Sequence, residues 1–133
     1  MKIVVRSGKR KTAIARSTVS EGTGRVYINK TPLECLQPVI VRHIIEEPLL
    51  IATDKITQKV DIHVNVRGGG VIGQAQATRI AIARSLVEFT KSADLRGRFV
   101  EYDRTLIAGD SRRKETKKFG GPGARARKQK SYR

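Results

Sequence analysis

The chain has 133 residues, 38% of them hydrophobic, with 28 Lys and Arg against 12 Asp and Glu, a net charge of +16; that length fits one domain of roughly 100–200 residues with one modest core. No stretch nears the about 18 apolar residues of a membrane span, and the run Ile3-Val4-Val5 is too short for a signal peptide, so the cytoplasm is the expected compartment. The lone Cys35 excludes an internal disulfide, and with only His43 and His63 beside it a Cys/His metal cage is not expected.

Taken in chain order, residues 3–6 read as a short strand that Gly8 interrupts, and residues 11–20 (KTAIARSTVS) as a second strand of small and β-branched residues. Residues 21–24 (EGTG) supply a turn. Residues 25–29 (RVYIN) alternate, so the first thirty residues form an antiparallel meander. Thr31, Pro32 and Glu34 fit a capping box with proline at the first helical position, which predicts a very short helix. Pro38 opens another helix (PVIVRHIIEE) that Pro48 interrupts or bends. Residues 60–67 (VDIHVNVR) give the cleanest signal: Val60, Ile62, Val64 and Val66 share one face, as in a half-buried strand.

After Gly68-Gly69-Gly70, a long helix places Ala75, Ile82, Leu86 and Phe89 on one face. Ile80 and Val87 lie toward the other side, where a second element would cover them. Ser92 caps a further helix with Leu95, Phe99 and Tyr102 at helical spacing, and a short strand is expected near Leu106-Ile107. The order of elements predicts an α+β domain, a sheet with helices packed on it. The folded body is expected to span residues 1–110. Residues 111–133 have the composition of a basic tail that stays disordered without RNA.

The charge is unevenly spread. Residues 111–133 hold ten Lys and Arg against one acid, Glu115, and the first sixteen residues hold six basic residues and no acid. A body repelling itself this strongly gains stability from a polyanion, and nucleic acid is the expected partner. In the tail, Arg and Lys alternate with Gly, Pro, Ala and single aromatics, so the backbone can approach phosphates closely. The stretch RGGGVIGQ (67–74) lacks the Gly-Lys-Ser/Thr ending of a nucleotide-hydrolysing loop. Its glycines suit either tight packing or an RNA phosphate beside Arg67. Glu46-Glu47 are adjacent in sequence and do not face each other on a helix. No catalytic group, cofactor or metal site is expected. The residues alone leave open a free-standing RNA chaperone and a small nucleotide-using enzyme built around RGGGVIGQ.

Four blocks in one order carry a resemblance over essentially the whole chain: Gly8-Lys9-Arg10-Lys11-Thr12-Ala13 with Ala15-Arg16; VRGGGVIGQAQATRIAIARSL (66–86); the junction from Asp110 through Arg112, Arg113 and Lys114 to Lys117 and Lys118; and the ending FGGPGARARKQKSYR. With them the chain resembles the universal small-subunit ribosomal protein S-nine family in its archaeal and eukaryotic form. The resemblance implies a four-stranded mixed sheet with helices on one face, similar to the second domain of ribosomal protein S-five. It further implies a place in the head of the small subunit, bound to ribosomal RNA beside neighbouring ribosomal proteins, with the tail reaching the peptidyl-site transfer RNA. Neither a membrane nor a small-molecule substrate is expected.

On that reading Lys9, Arg10, Lys11, Arg67 and Arg79 meet ribosomal RNA phosphates from the body, and Arg112, Arg113, Lys114, Lys117 and Lys118 from the junction. The backbone of Gly68, Gly69 and Gly70 approaches phosphate. Arg125, Arg127, Lys128 and Lys130 line the path of the tail, and Arg133 meets the transfer RNA with Tyr132 beside it. Bacterial members end in Ser-Lys-Arg, whereas this chain ends in Ser131-Tyr132-Arg133.

Overall fold

Strands β1 (Ile3–Arg10) and β2 (Ala13–Glu21) form an antiparallel hairpin around Lys11 and Thr12, with Arg10 opposite Ala13 and Ile3 opposite Ser20. This is a computed structural model that describes residues 1–129 and Ser131. Lys130, assigned above to the path of the tail, and Tyr132 and Arg133, assigned to the transfer RNA, lie outside the described residues.

β1 runs through Gly8 rather than stopping there. Gly8 is buried, and a Cβ on it would lie 2.3 Å from the carbonyl oxygen of Ala77 and 2.6 Å from the amide nitrogen of Ala81. The glycine lets the strand lie directly on helix backbone, a close-approach role that the sequence does not separate from a break.

β2 continues through a turn held by Asp61, whose Oδ1 accepts from the amides of Thr23 (2.8 Å) and Arg25 (3.0 Å). Then come β3 (Val26–Ile28) and β4 (Thr31–Pro32), which pair with each other. Thr31 therefore belongs to a strand. The 3-10 turn at Leu33–Cys35 starts after Pro32 and has no side-chain cap. Helix α1 (Val39–Ala52) starts after Pro38 and passes through Pro48, which is buried within it. Helix α2 (Asp54–Thr57) is a single turn.

β5 (Val60–Arg67) pairs antiparallel with β2 and parallel with β3, so it stands between them where the sequence predicts an antiparallel meander of the first thirty residues, and the five strands run in the order β1-β2-β5-β3-β4. The expected α+β fold and mixed sheet are present. The fifth strand is the two-residue β4 at the edge, too short to leave a hydrophobic period.

Helix α3 (Val71–Thr90) lies across β1, β2 and β5 and forms the spine of the core, with Ala75, Ile82 and Leu86 buried as predicted. Ile80, on its other side, is buried too, because β1 packs there through Gly8. α1 and α5 pack along α3. Beneath the sheet, the Ser17 and Ser85 hydroxyls meet at 3.0 Å, and Ser85 donates to the carbonyl of Ile82 at 2.9 Å. Each buried hydroxyl thus has a partner.

Ser92 caps α4 (Ala93–Tyr102), accepting from the amide of Leu95 at 3.3 Å. Leu106 and Ile107 form part of the helical turn α5 (Thr105–Ala108), not a strand. The Asp103 carboxylate accepts from the amide and hydroxyl of Thr105 and starts that turn. Two adjacent apolar residues are too few to separate a strand period from a helical one.

Candidate nucleic-acid interface

Alternation along the strands divides the sheet into a covered and an open face. Ala13, Ala15, Ser17 and Val19 of β2 face α3, which leaves Ile14, Arg16 and Thr18 outward; on β5 His63, Asn65 and Arg67 point the same way. Register places Lys9 opposite Ile14 and Ile14 opposite Arg67, and in the next row Ser7 opposite Arg16 and Arg16 opposite Asn65. Directly opposed residues lie roughly 5 Å apart, so Lys9, Arg16 and Arg67 form one cationic patch at the hairpin end of the sheet. One row further, the rings of Tyr27 and His63 stack with centroids 5.0 Å apart and planes within 8°.

The glycine run sits at that same end. Gly68 and Gly69 have φ of 81° and 66°, in the region where glycine carries no steric penalty. They press on the hairpin turn: a Cβ on Gly68 would lie 2.5 Å from the carbonyl oxygen of Thr12. Gly70 caps α3 without any side-chain cap, and a Cβ there would meet nothing within 4 Å. Packing thus accounts for two glycines, and the third fronts the open N-terminus of α3.

The chain returns to the hairpin at the start of the tail. Asp110 bridges Arg10 of β1 (2.9 Å) and Arg112 (2.8 Å), and Arg113 donates to the carbonyl of Lys11 at 2.9 Å. The Arg112 side chain and amide, with Arg10 nearby, hold the Asp110 carboxyl far below the usual carboxylate range; the same contact raises Arg112. Lys9, Lys11, Arg67, Arg112 and Arg113 are all exposed around this one turn.

Two residues assigned to RNA are largely buried. Arg10 is 14% exposed and donates from Nε to Gln76 at 2.7 Å besides its pairing with Asp110. Arg79 is 16% exposed between Glu47 of α1 (2.6 Å) and Asp103 (3.0 Å). The Arg10–Asp110 and Arg79–Glu47 contacts are ion pairs off the N–H direction rather than aligned hydrogen bonds. Both arginines tie helices and strands together inside the body. Burial pushes the Asp103 carboxyl up, but the Thr105 amide and hydroxyl and Arg79 outweigh it, so its pKa is lowered.

Along the tail, Lys114 and Lys117 are exposed, while Glu115 holds Lys118 (3.1 Å) and Arg125 (3.0 Å). Arg127 donates to the carbonyl of Phe119 at 3.2 Å, and Lys128 is exposed beside it. Glu46 and Glu47 face different partners, His43 at 3.3 Å and Arg79. Among the described residues no group of three His, Cys, Asp or Glu is placed to hold a metal, and no helix is long and apolar enough to cross a membrane.

Sequence reasoning did not assign Arg16 to RNA by name, although the alternation of KTAIARS carried the signal: it sets Ile14 and Arg16 on one face against Ala13 and Ala15. It also missed the Tyr27–His63 stack and the Asp110 bridge. Both join residues more than 30 positions apart, and local sequence carries no mark of either.

A family model described as ribosomal protein S9/S16 matches residues 8–133. A small ribosomal subunit protein uS9 from Methanothrix thermoacetophila is 53% identical over 133 residues, the full length of both chains. One from Halobacterium salinarum is 54% identical over 127 residues, 96% of each chain. With the model matching nearly the whole chain and relatives more than half identical along it, the chain belongs to the ribosomal protein S9/S16 family.

Proposed function

We propose that the chain is a structural constituent of the cytoplasmic small ribosomal subunit, docking its body on ribosomal RNA and sending its tail toward the peptidyl-site transfer RNA. One observation carries the RNA reading: the β1–β2 turn, the end of β5 and the start of the tail converge, so cations distant in sequence form a single exposed patch. Phosphate contacts fall to Lys9, Lys11, Arg16 and Arg67, and to Arg112, Arg113 and Lys114 at the junction. The Gly70 end of α3 offers backbone amides and a favourable dipole to the same strand. Lys117, Lys118, Arg125, Arg127 and Lys128 continue the path, and Lys130 and Arg133 its tip. Arg10 and Arg79 serve RNA binding indirectly, by holding the body in shape.

Salt dependence of binding by the full chain tests the patch. Each phosphate contact contributes roughly 0.7–0.9 to the log–log slope. Replacing Lys9, Arg16 and Arg67 by Gln is expected to lower the slope against ribosomal RNA by about two to three. Replacing Lys55 and Lys59, exposed near α2, is expected to leave it unchanged. Equal slopes for the two sets would remove the patch from the interface.

For the tip, Arg133→Ala is expected to weaken transfer RNA retention in the peptidyl site while subunit assembly proceeds. Equal retention by the two kinds of subunit would refute that role.

A further inference from the structure

A groove of about 500 Å3 lies at the opposite edge of the sheet from β1, between β3–β4 and helices α1 and α2. It is also at the other strand end: its wall includes Val26 and Ile62, which pair across β3 and β5, whereas the cationic patch sits near Arg67. Its floor is apolar, with Leu33 and Leu49. Leu50 stands on its lip 77% exposed.

The rim carries Glu34, Glu46 and Asp54 against a single cation, Arg25. In a chain with 28 Lys and Arg, cationic partners are in surplus. Yet among the described residues Glu34 and Asp54 make no ion pair, and Glu46 meets only His43. Three carboxylates around an apolar floor repel a phosphate backbone.

We propose that this groove receives an extended, cationic and partly aliphatic segment of a neighbouring protein. The inference rests on the ribosomal reading above in one respect. Proteins that sit on one polyanion carry charge of the same sign and repel each other. Two of them can touch closely only where one turns an acidic surface to the other, and this groove is such a surface. The aliphatic stems of Lys or Arg, with interspersed Leu or Val, lie on Leu33, Leu49 and Leu50, and the ammonium or guanidinium groups reach the three carboxylates.

The first test uses the free full-length chain and a fluorescein-labelled peptide of alternating Lys and Leu. Glu34→Gln, Glu46→Gln and Asp54→Asn together are expected to weaken peptide binding about tenfold, a two- to threefold loss for each exposed pair. Binding to poly(U) is expected to stay the same or strengthen. Equal peptide affinity for parent and triple variant overturns the proposal; circular dichroism confirms that both are folded.

The second test places a photo-crosslinking residue at position 50 and recovers small subunits containing it. The expected product is protease-sensitive and maps to a peptide rich in Lys and Arg. A nuclease-sensitive product, a segment without surplus cations, or no product from incorporated chain overturns the groove assignment. A chain that never enters small subunits counts against the ribosomal reading itself and leaves the peptide titration to decide the groove.

Discussion

A methyl group added at position 8 would press into the backbone of α3, 2.3 Å from the carbonyl oxygen of Ala77, where neither partner has a flexible end to move aside. Overpacking of this kind typically costs about 1–3 kcal/mol, and a contact against backbone falls at the upper end. Gly8→Ala is therefore expected to lower Tm by on the order of 10 °C. Gly97→Ala, with nothing within 4 Å of its added methyl, should hold or raise Tm. Equal losses for the two would mean that β1 can lift from α3 freely. Acid should find three further residues. Asp61, held low by the amides of Arg25 and Thr23, and Asp103 and Asp110 all have carboxyls below their ordinary range. A carboxyl lowered by folding stabilises the fold above its unfolded pKa of about 3.9, and that contribution fades as pH falls through the lower folded value. Thermal stability is expected to be flat from pH 7 to about 5 and to fall below about 4. Asp61→Asn should reduce that acid-side fall; an unchanged acid limb would show that Asp61 does not hold its turn in solution.

Among the elements, the two sequence-predicted caps separate cleanly. Ser92 accepts from the amide of Leu95 and Thr31 caps nothing, being paired with Ile28 in the sheet. Ser92→Ala is expected to cost about 1 kcal/mol by chemical denaturation. Thr31→Ala should stay within about 0.5 kcal/mol, as exposed substitutions usually do. A large loss at Thr31 would revive the capping box. The contrast explains which elements the sequence displayed. β5 buries alternate residues over eight positions and α3 keeps an apolar face over twenty, long enough for a period to stand out, even though α3 is also covered on the Ile80 side. β4 and α5 are two and four residues long, and their form is imposed by neighbours: β3 pairs with one, and Asp103 and α3 position the other. The candidate interface was legible in part for the same reason. Its cations were visible as runs near Lys9 and Arg112, but Arg10 and Arg79 carry the same charge and face inward. Nothing local distinguishes an arginine beside Gln76 or Glu47 from one in solvent.

At the scale of the whole molecule, charge is sorted by position: cations gather at the hairpin end and along the tail, and carboxylates with no Lys or Arg partner among the described residues rim the groove at the opposite corner. Among the described residues, the tail is held to the body only at its start. Arg112 grips Asp110 and Arg113 reaches Lys11, but from Lys114 onward every hydrogen bond and ion pair among the described residues stays within the tail. Phe119, its one phenylalanine, is 99% exposed and adds no apolar contact to the core. Removing residues 114–133 should therefore leave folding intact and strip RNA affinity. That deletion takes away eight Lys and Arg, so the salt slope of binding can fall by at most about 7, at roughly 0.7–0.9 for each lost contact. Cooperative unfolding with Tm within a few degrees of the full chain is the expected outcome for the shortened protein. A chain ending at Ala108, which also lacks Asp110 and its bridge to Arg10, should unfold at a lower temperature, because Arg10 would then keep only Gln76. If the shorter and longer truncations melted alike, the Asp110 bridge would contribute nothing to the body. If both lost cooperativity, the boundary between body and tail would lie further along the chain.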